Sequence, residues 1–157
     1  TSTLANYLKT LDEATLLGGL QRYAVDFSRR YQSIPKYQVY NTALFSYFQG
    51  RGFETEQLDL RRWGRWVESA VGAHLINHSH MQDYELYYWR DHDDEVDFIL
   101  KQRGNRLLSL EVKSGRRQDN SGLHVFADKF HPNKRLIVGK DAMPLDVFFH
   151  SLPSQLL

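Results

Sequence analysis

The amino-acid sequence predicts an α/β domain whose core elements run α-β-β-β-α-β, with a small helix-hairpin module ahead of it. Three observations carry that expectation. Residues 64–80 place apolar side chains at helical spacing over a stretch too long for a strand. Residues 85–114 then read as three strands, 85–91, 95–101 and 106–114, the latter two with apolar and polar side chains alternating. A second helical run near 120–130 stops before Pro132, and a strand pattern resumes at 134–140.

The elements can be taken in order. Residues 2–14 read as a helix, with Ser2 or Thr3 as cap and Leu4, Leu8 and Leu11 on one stripe. Gly18 and Gly19 read as a break. Two short strands follow, 19–25 and 35–41, separated by a basic polar loop containing Ser28, Arg29 and Arg30. A short helix over 42–48 ends at Gly50-Arg51-Gly52. Helix, hairpin and helix together resemble part of a winged helix. The expected division is a module over 1–55 and the α/β core over 56–157. In the core helix Trp66, Ala70, Ala73 and Ile76 share a stripe that Val67, Val71 and Leu75 widen. After the strand at 134–140, residues 146–150 (DVFFH) read as a final edge strand. Thr1 stands inside a helical pattern and reads as a cut end, with more protein upstream.

Composition narrows the possible roles. A chain of 157 residues with 41% hydrophobic residues can bury a core. Its 20 basic and 19 acidic residues leave a net charge of +1, so any attraction for nucleic acid must come from a local patch. The absence of cysteine excludes disulfides and thiolate metal sites and fits a cytoplasmic setting. No apolar run approaches the roughly 20 residues that span a bilayer, and no signal-peptide pattern opens the chain.

The chemistry concentrates in the two central strands. In 95–101, Val96, Phe98 and Leu100 fall on one face, and Glu95, Asp97, Ile99 and Lys101 on the other. In 107–113, Leu108, Leu110 and Val112 oppose Leu107, Ser109, Glu111 and Lys113. Arg103-Gly104-Asn105 suits a tight turn. A hairpin symmetric about Gly104 sets Asp97 opposite Glu111 and Glu95 opposite Lys113. Neighbouring carboxylates repel unless a cation joins them. Mg²⁺ or Mn²⁺ prefers such oxygen ligands, and a lysine alongside can hold a water or offset charge on a phosphate. The pattern therefore points to metal-assisted phosphodiester hydrolysis, against the plainer reading of a solvated sheet face with cross-strand ion pairs.

Trp89-Arg90, Glu95-Val96-Asp97-Phe98 and Glu111-Val112-Lys113-Ser114-Gly115 together resemble the PD-(D/E)XK nuclease superfamily. More narrowly the chain resembles domain of unknown function 4143, which follows the ATPase module in many bacterial and archaeal AAA-type ATPases. Gly64-Arg65-Trp66-Val67-Glu68 and Val71-Gly72-Ala73-His74-Leu75 are similar to that family's first core helix. Ala5-Asn6-Tyr7-Leu8 and Pro35-Lys36-Tyr37 are similar to its N-terminal part. The resemblance implies a PD-(D/E)XK core: a mixed sheet flanked by helices. It also implies Asp97 and Glu111 as Mg²⁺- or Mn²⁺-binding carboxylates, Glu68 completing the acidic set, Lys113 as the catalytic lysine, DNA as substrate and an ATPase module as partner. Asn41 stands where the family often has aspartate. The rival reading is a non-catalytic DNA- or protein-interaction module that regulates or targets the ATPase. A stand-alone transcription-factor-like domain fits the low net charge less well.

Other residues carry lesser expectations. Arg90, Arg116 and Arg117 are candidate nucleic-acid contacts, with Lys129, Lys134 and Arg135 as possible additions to a basic patch. Trp89 reads better as an interior residue than as a base-stacking one, with Arg90 supporting the acidic site. Asp91, His92, Asp93 and Asp94 read as a solvated turn. His74, His78 and His80 read as helix-end histidines, since Leu75 stands where a zinc-protease motif needs glutamate. An approach path blocked by residues 54–62 would leave a formed but silent site.

Overall fold

The alternating strands present two apolar faces, and the fold covers both. The computed structural model describes residues 2–25, 33–49, 53–114 and 121–157. At its centre β3 (Tyr84–Asp91), β4 (Asp94–Gln102) and β5 (Leu107–Lys113) form an antiparallel meander. The chain crosses through α5 (Ser121–Phe130) to β6 (Lys134–Gly139), which pairs parallel to β5. On the other side β1 (Leu17–Arg22) pairs parallel to β3 and antiparallel to β2 (Lys36–Val39). The result is one mixed sheet in the order β2-β1-β3-β4-β5-β6.

The long helix α4 (Leu60–Ser79) covers one face. Its Val71, Leu75 and Ile76 pack with Tyr88, Phe98, Leu100, Leu108 and Leu110. The opposite face is covered by α5, whose Leu123 and Phe126 meet Tyr23, Tyr87, Trp89, Ile99 and Leu107. Each such side chain removed from water contributes about 1.5–3 kcal/mol, so the two clusters account for the layered arrangement. No helix among the described residues is long and apolar enough to cross a membrane.

The core strands and α5 follow the sequence expectation closely. The differences have local causes. α4 begins at Leu60, before the expected Gly64, because the Asp59 carboxylate accepts from the N–H groups of Arg61 (3.0 Å) and Arg62 (3.3 Å). Such a cap is worth about 1 kcal/mol. Ahead of it lie α1 (Ser2–Glu13), α2 (Ala43–Gln49) and α3 (Phe53–Leu58). Asn41 Oδ1 accepts from Ala43 N–H at 2.9 Å, which explains an amide at that position as an opening bond for α2. Gly18 and Gly19 are not a break; both lie inside β1. A Cβ on Gly18 would stand 2.6 Å from Ile76 Cδ1, so glycine lets β1 approach α4. The hairpin of β1 and β2 does not stand off as a wing but extends the core sheet.

Residues 146–150 are a correction. They belong to α6 (Leu145–His150), not to an edge strand. Pro144 precedes the helix and its carbonyl accepts from Phe148 N–H at 2.9 Å. Only Phe148 of this run is fully buried, so one residue per turn packs rather than every second one. A short apolar run cannot distinguish the two periods. A last turn, α7 (Pro153–Leu156), buries Pro153 and Leu156.

Val96 is a second correction. It packs with Trp89 and Ile99 under α5, not with Phe98. Tyr87 pairs with Ile99 while Trp89 pairs with Val96, so Asp97 and Phe98 together oppose Tyr88 alone. This β-bulge inserts one residue and re-aims the side chains around it.

α5 rests directly on this part of β4. A Cβ on Gly122 would stand 2.0 Å from the Glu95 carbonyl oxygen, against backbone that cannot yield. Gly122→Ala is therefore expected to destabilise the chain by about 1–3 kcal/mol. Urea denaturation checks this, and an unchanged midpoint would mean that α5 does not lie so close to Glu95.

Candidate functional site

The predicted hairpin register forms, but it stops short of the predicted acidic pairs. β4 and β5 pair from Lys101–Leu107 to Phe98–Leu110, around a turn in which Gly104 and Asn105 take positive φ values of 77° and 64°. Beyond Phe98 the ladder ends, and the bulge turns Asp97 toward the neighbouring strand. Asp97 Oδ2 accepts from Val112 N–H at 2.8 Å, taking the place of a main-chain acceptor. The expected facing pairs, Asp97 with Glu111 and Glu95 with Lys113, are absent from the ladder. Lys113 Nζ instead donates to Glu111 Oε1 on its own strand at 2.9 Å. Glu111 Oε2 is buried and has no hydrogen-bond partner among the described residues.

A second half of the site arrives from β2 and α4. Lys36 and Gln38 project from the same face of β2 toward α4. Gln38 Nε2 donates to the Ser69 carbonyl at 2.9 Å. A Cβ on Gly72 would lie 2.1 Å from Gln38 Oε1, so that glycine opens the space Gln38 occupies. This docking carries Lys36 over Glu68, which precedes Ser69 on α4. Lys36 Nζ lies 2.7 Å from Glu68 Oε1, 3.2 Å from Glu95 Oε1 and 3.8 Å from Asp97 Oδ1. It also sits 5.6 Å from the centre of the Phe98 ring, within cation–π range.

Charge density sets the protonation of this cluster. Burial, with the charges of Glu111 and Glu68, pushes Asp97 up to about 8, against the opposing influence of Lys36 and the Val112 N–H. Burial also raises Glu111, partly offset by its bond with Lys113. Burial would lower Lys36, but Glu68, Asp97 and Glu95 together outweigh it and hold the ammonium well above its ordinary value. Four carboxylates (Glu68, Glu95, Asp97, Glu111) thus share two ammonium groups (Lys36, Lys113). Among the described residues no three His, Asp or Glu side chains are gathered closely enough to chelate one ion. Lys36 lies between three of the carboxylates instead.

The structure therefore brings Glu68, Asp97, Glu111 and Lys113 into one neighbourhood, and adds Lys36 and Glu95. Sequence reading placed Glu95 on the acidic face without a role and quoted Lys36 only within a similar segment. The one sequence signal for Lys36 was its place two residues before Gln38, a polar pair on one face of a short strand.

A groove of about 720 Å³ opens beside the cluster, lined by Arg22, Lys36, Tyr88, Arg90, Asp91 and Glu95 among others. Arg90 is exposed along it and does not touch the acidic cluster; its Nε donates to the His92 carbonyl at 3.4 Å. Trp89 is interior, edge-on to Phe126 at 5.3 Å. Asp91 pairs with Lys129 at 2.8 Å and Arg22 at 3.6 Å. Residues 54–62 do not line this groove. Glu56 instead lines a separate apolar cavity of about 400 Å³ with Phe53, Trp63, Trp66 and Phe149. His74 and His78 each direct a ring nitrogen to a main-chain carbonyl, of Ser151 and His74 respectively. His80 stacks on Tyr40. Lys134 and Arg135 are exposed at the start of β6. Arg116 and Arg117, like Ser28, Arg29, Arg30 and the Gly50–Gly52 stop, lie outside the described residues.

Residues 63–154 match the family model described as Domain of unknown function (DUF4143). No curated protein and no solved structure matches the chain.

The protonation of Asp97 has a stability consequence in the presence of a chelator. Its ordinary value is 3.8, and the folded chain raises this to about 8. The folded state then holds the extra proton between those values. The associated stability is fully present below the lower value and is lost as pH rises through the upper one. Asp97→Asn should gain thermal stability relative to the unaltered chain as pH rises from 5 to 9. A melting-temperature difference that stays constant across that range would mean that Asp97 titrates as an ordinary carboxylate.

Proposed function

The chain belongs to the DUF4143 family, and we propose that it carries a Mg²⁺- or Mn²⁺-dependent nuclease-type centre acting on DNA. The observation that carries this reading is the half-buried Asp97–Glu111 pair with Lys113 bonded to Glu111. Glu111 Oε2 has no partner among the described residues, and Asp97 takes up a proton near pH 8. Both features mark oxygen ligands short of compensating charge, since the described carboxylates of the cluster outnumber its ammonium groups, and hard divalent ions are the cations that such ligands select. The all-oxygen donor set fits that class of ion better than zinc or copper.

In this reading Asp97 and Glu111 hold the ion and Glu68 assists. The bound ion supplies Lewis acidity at the phosphate and lowers the pKa of a coordinated water. The Val112 N–H holds Asp97 in orientation. Lys113 keeps a positive charge beside Glu111, where it orients the attacking water and offsets charge that develops on the phosphate oxygens. Arg22 and Arg90 along the adjoining groove offer contacts for flanking phosphates. The sequence resemblance supports coupling to an ATPase module.

The alternative is a non-catalytic DNA- or protein-interaction module on the same scaffold. It is favoured by the ion pairs of Lys36, which leave part of the acidic set neutralised within the chain.

Calorimetric titration with Mg²⁺ and Mn²⁺, followed by cleavage of plasmid and linear DNA, decides between them. The unaltered chain should bind an ion, and Asp97→Asn and Glu111→Gln should each weaken binding by about tenfold or more. Lys113→Met should retain the ion within a few-fold and slow cleavage by about a hundredfold. Ion binding without cleavage would favour the interaction module. Equal cleavage by the unaltered chain and Lys113→Met would sink the catalytic role of Lys113.

A further inference from the structure

Lys36 is a poor bystander. It is the only ammonium recorded within 4 Å of Glu68, Glu95 and Asp97 among the described residues, at 2.7, 3.2 and 3.8 Å. It reaches them from an edge strand of the hairpin, far in sequence from the core. The hairpin is aimed: Gly72 makes room for Gln38, Gln38 bonds beside Glu68, and Lys36 follows two residues before it. Lys36 also lines the groove together with Arg22 and Arg90. A lysine is a flexible stem with a compact charge, able to move its head by several ångströms without moving its Cα.

From this geometry we propose that Lys36 is a built-in competitor of the divalent ion. Its ammonium holds Glu68, Glu95 and Asp97 together in the ion-free chain. Ion binding displaces it toward the groove, where it becomes a contact for a nucleic-acid phosphate. The inference rests on the metal-centre reading above and extends it to a residue that neither the family match nor the motif assigns.

The physical argument is one of exchange. Two cations drawn to the same carboxylates repel each other, and in a half-buried place water screens that repulsion less than at the surface. Removing Lys36 should therefore strengthen ion binding, whereas removing a merely structural side chain should leave it unchanged or weaken it. Removing Lys36 should also weaken the ion-loaded chain's hold on DNA, and reduce the salt dependence of that binding by about one phosphate contact.

The experiment measures Mn²⁺ affinity of the unaltered chain, Lys36→Met and Lys36→Arg by electron paramagnetic resonance. Affinity for a short DNA duplex is then measured at two salt concentrations in Ca²⁺. Lys36→Met should bind Mn²⁺ at least about tenfold more tightly and the duplex several-fold more weakly, with Lys36→Arg near the unaltered chain on both scales. Lys36→Gln serves if Lys36→Met does not fold. Mn²⁺ bound by the unaltered chain but no more tightly by either neutral variant overturns the competitor role and leaves the metal centre standing. Unchanged duplex affinity overturns the phosphate-contact role. No Mn²⁺ binding by any of these proteins overturns the metal centre together with the inference.

Discussion

Four carboxylates meet at one half-buried place, and their mutual repulsion is the constraint around which the structure is arranged. Glu68 comes from a helix, Glu95 and Asp97 from one strand, and Glu111 from its neighbour. Each is separately compatible with a stable sheet. Burial raises the proton affinity of Asp97 and Glu111, with the charges of Glu111 and Glu68 adding to it at Asp97, and Glu68, Asp97 and Glu95 together hold Lys36 in its charged form. A fold gains nothing in stability from such a cluster, since apolar residues of similar volume would pack there at lower desolvation cost. The metal centre proposed above would account for its presence.

The architecture supplies the means to build it. The bulge in β4 and the end of its ladder with β5 allow Asp97 to turn and take the Val112 N–H. Without that bond the amide would lose its partner and the carboxylate its orientation. Three of the glycines at close approaches bring helices and strands together around this centre. Gly122 lets α5 lie on the backbone of Glu95, Gly72 admits Gln38 below Lys36, and Gly18 lets β1 reach α4. At Gly122 and Gly72 the missing side chain brings another element nearer to the acidic cluster.

How much of this was legible in the sequence depended on the range of the interaction. The register of β4 and β5 follows from local facts, the position of Gly104 and strict alternation on both sides, and the observed pairs keep that register. Asp97, Glu111 and Lys113 were visible because they alternate on two adjacent strands, whereas Glu68 entered only through the family resemblance. Val96 was misplaced because a bulge breaks period-two logic without any composition signal. Residues 146–150 were misassigned because five apolar-rich residues fit either period, and only the packing of Phe148 decides. Lys36 was hidden for a different reason. Its hydrogen bond to Glu95 spans 59 residues of sequence, and no single-sequence pattern records a contact of that kind.

The same self-neutralisation extends along the groove. Asp91 holds Lys129 and Arg22, while Arg90 is turned to a main-chain carbonyl. Among the described residues this surface therefore presents little unbalanced positive charge, in keeping with a net charge of +1 for the whole chain. A phosphate chain entering the groove would have to exchange with Asp91 for Arg22, as an ion entering the cluster would have to exchange with Lys36. Both exchanges replace one ion pair with another of similar geometry, so neither leaves a buried charge alone, which is the outcome that carries the large penalty. On the proposed reading, a site built this way is stable when nothing is bound and would hold its cationic groups against internal carboxylates until a cation or phosphate competes for them. That is why a nearly neutral chain can still be read as a nucleic-acid-directed one: the relevant charge is paired, not missing.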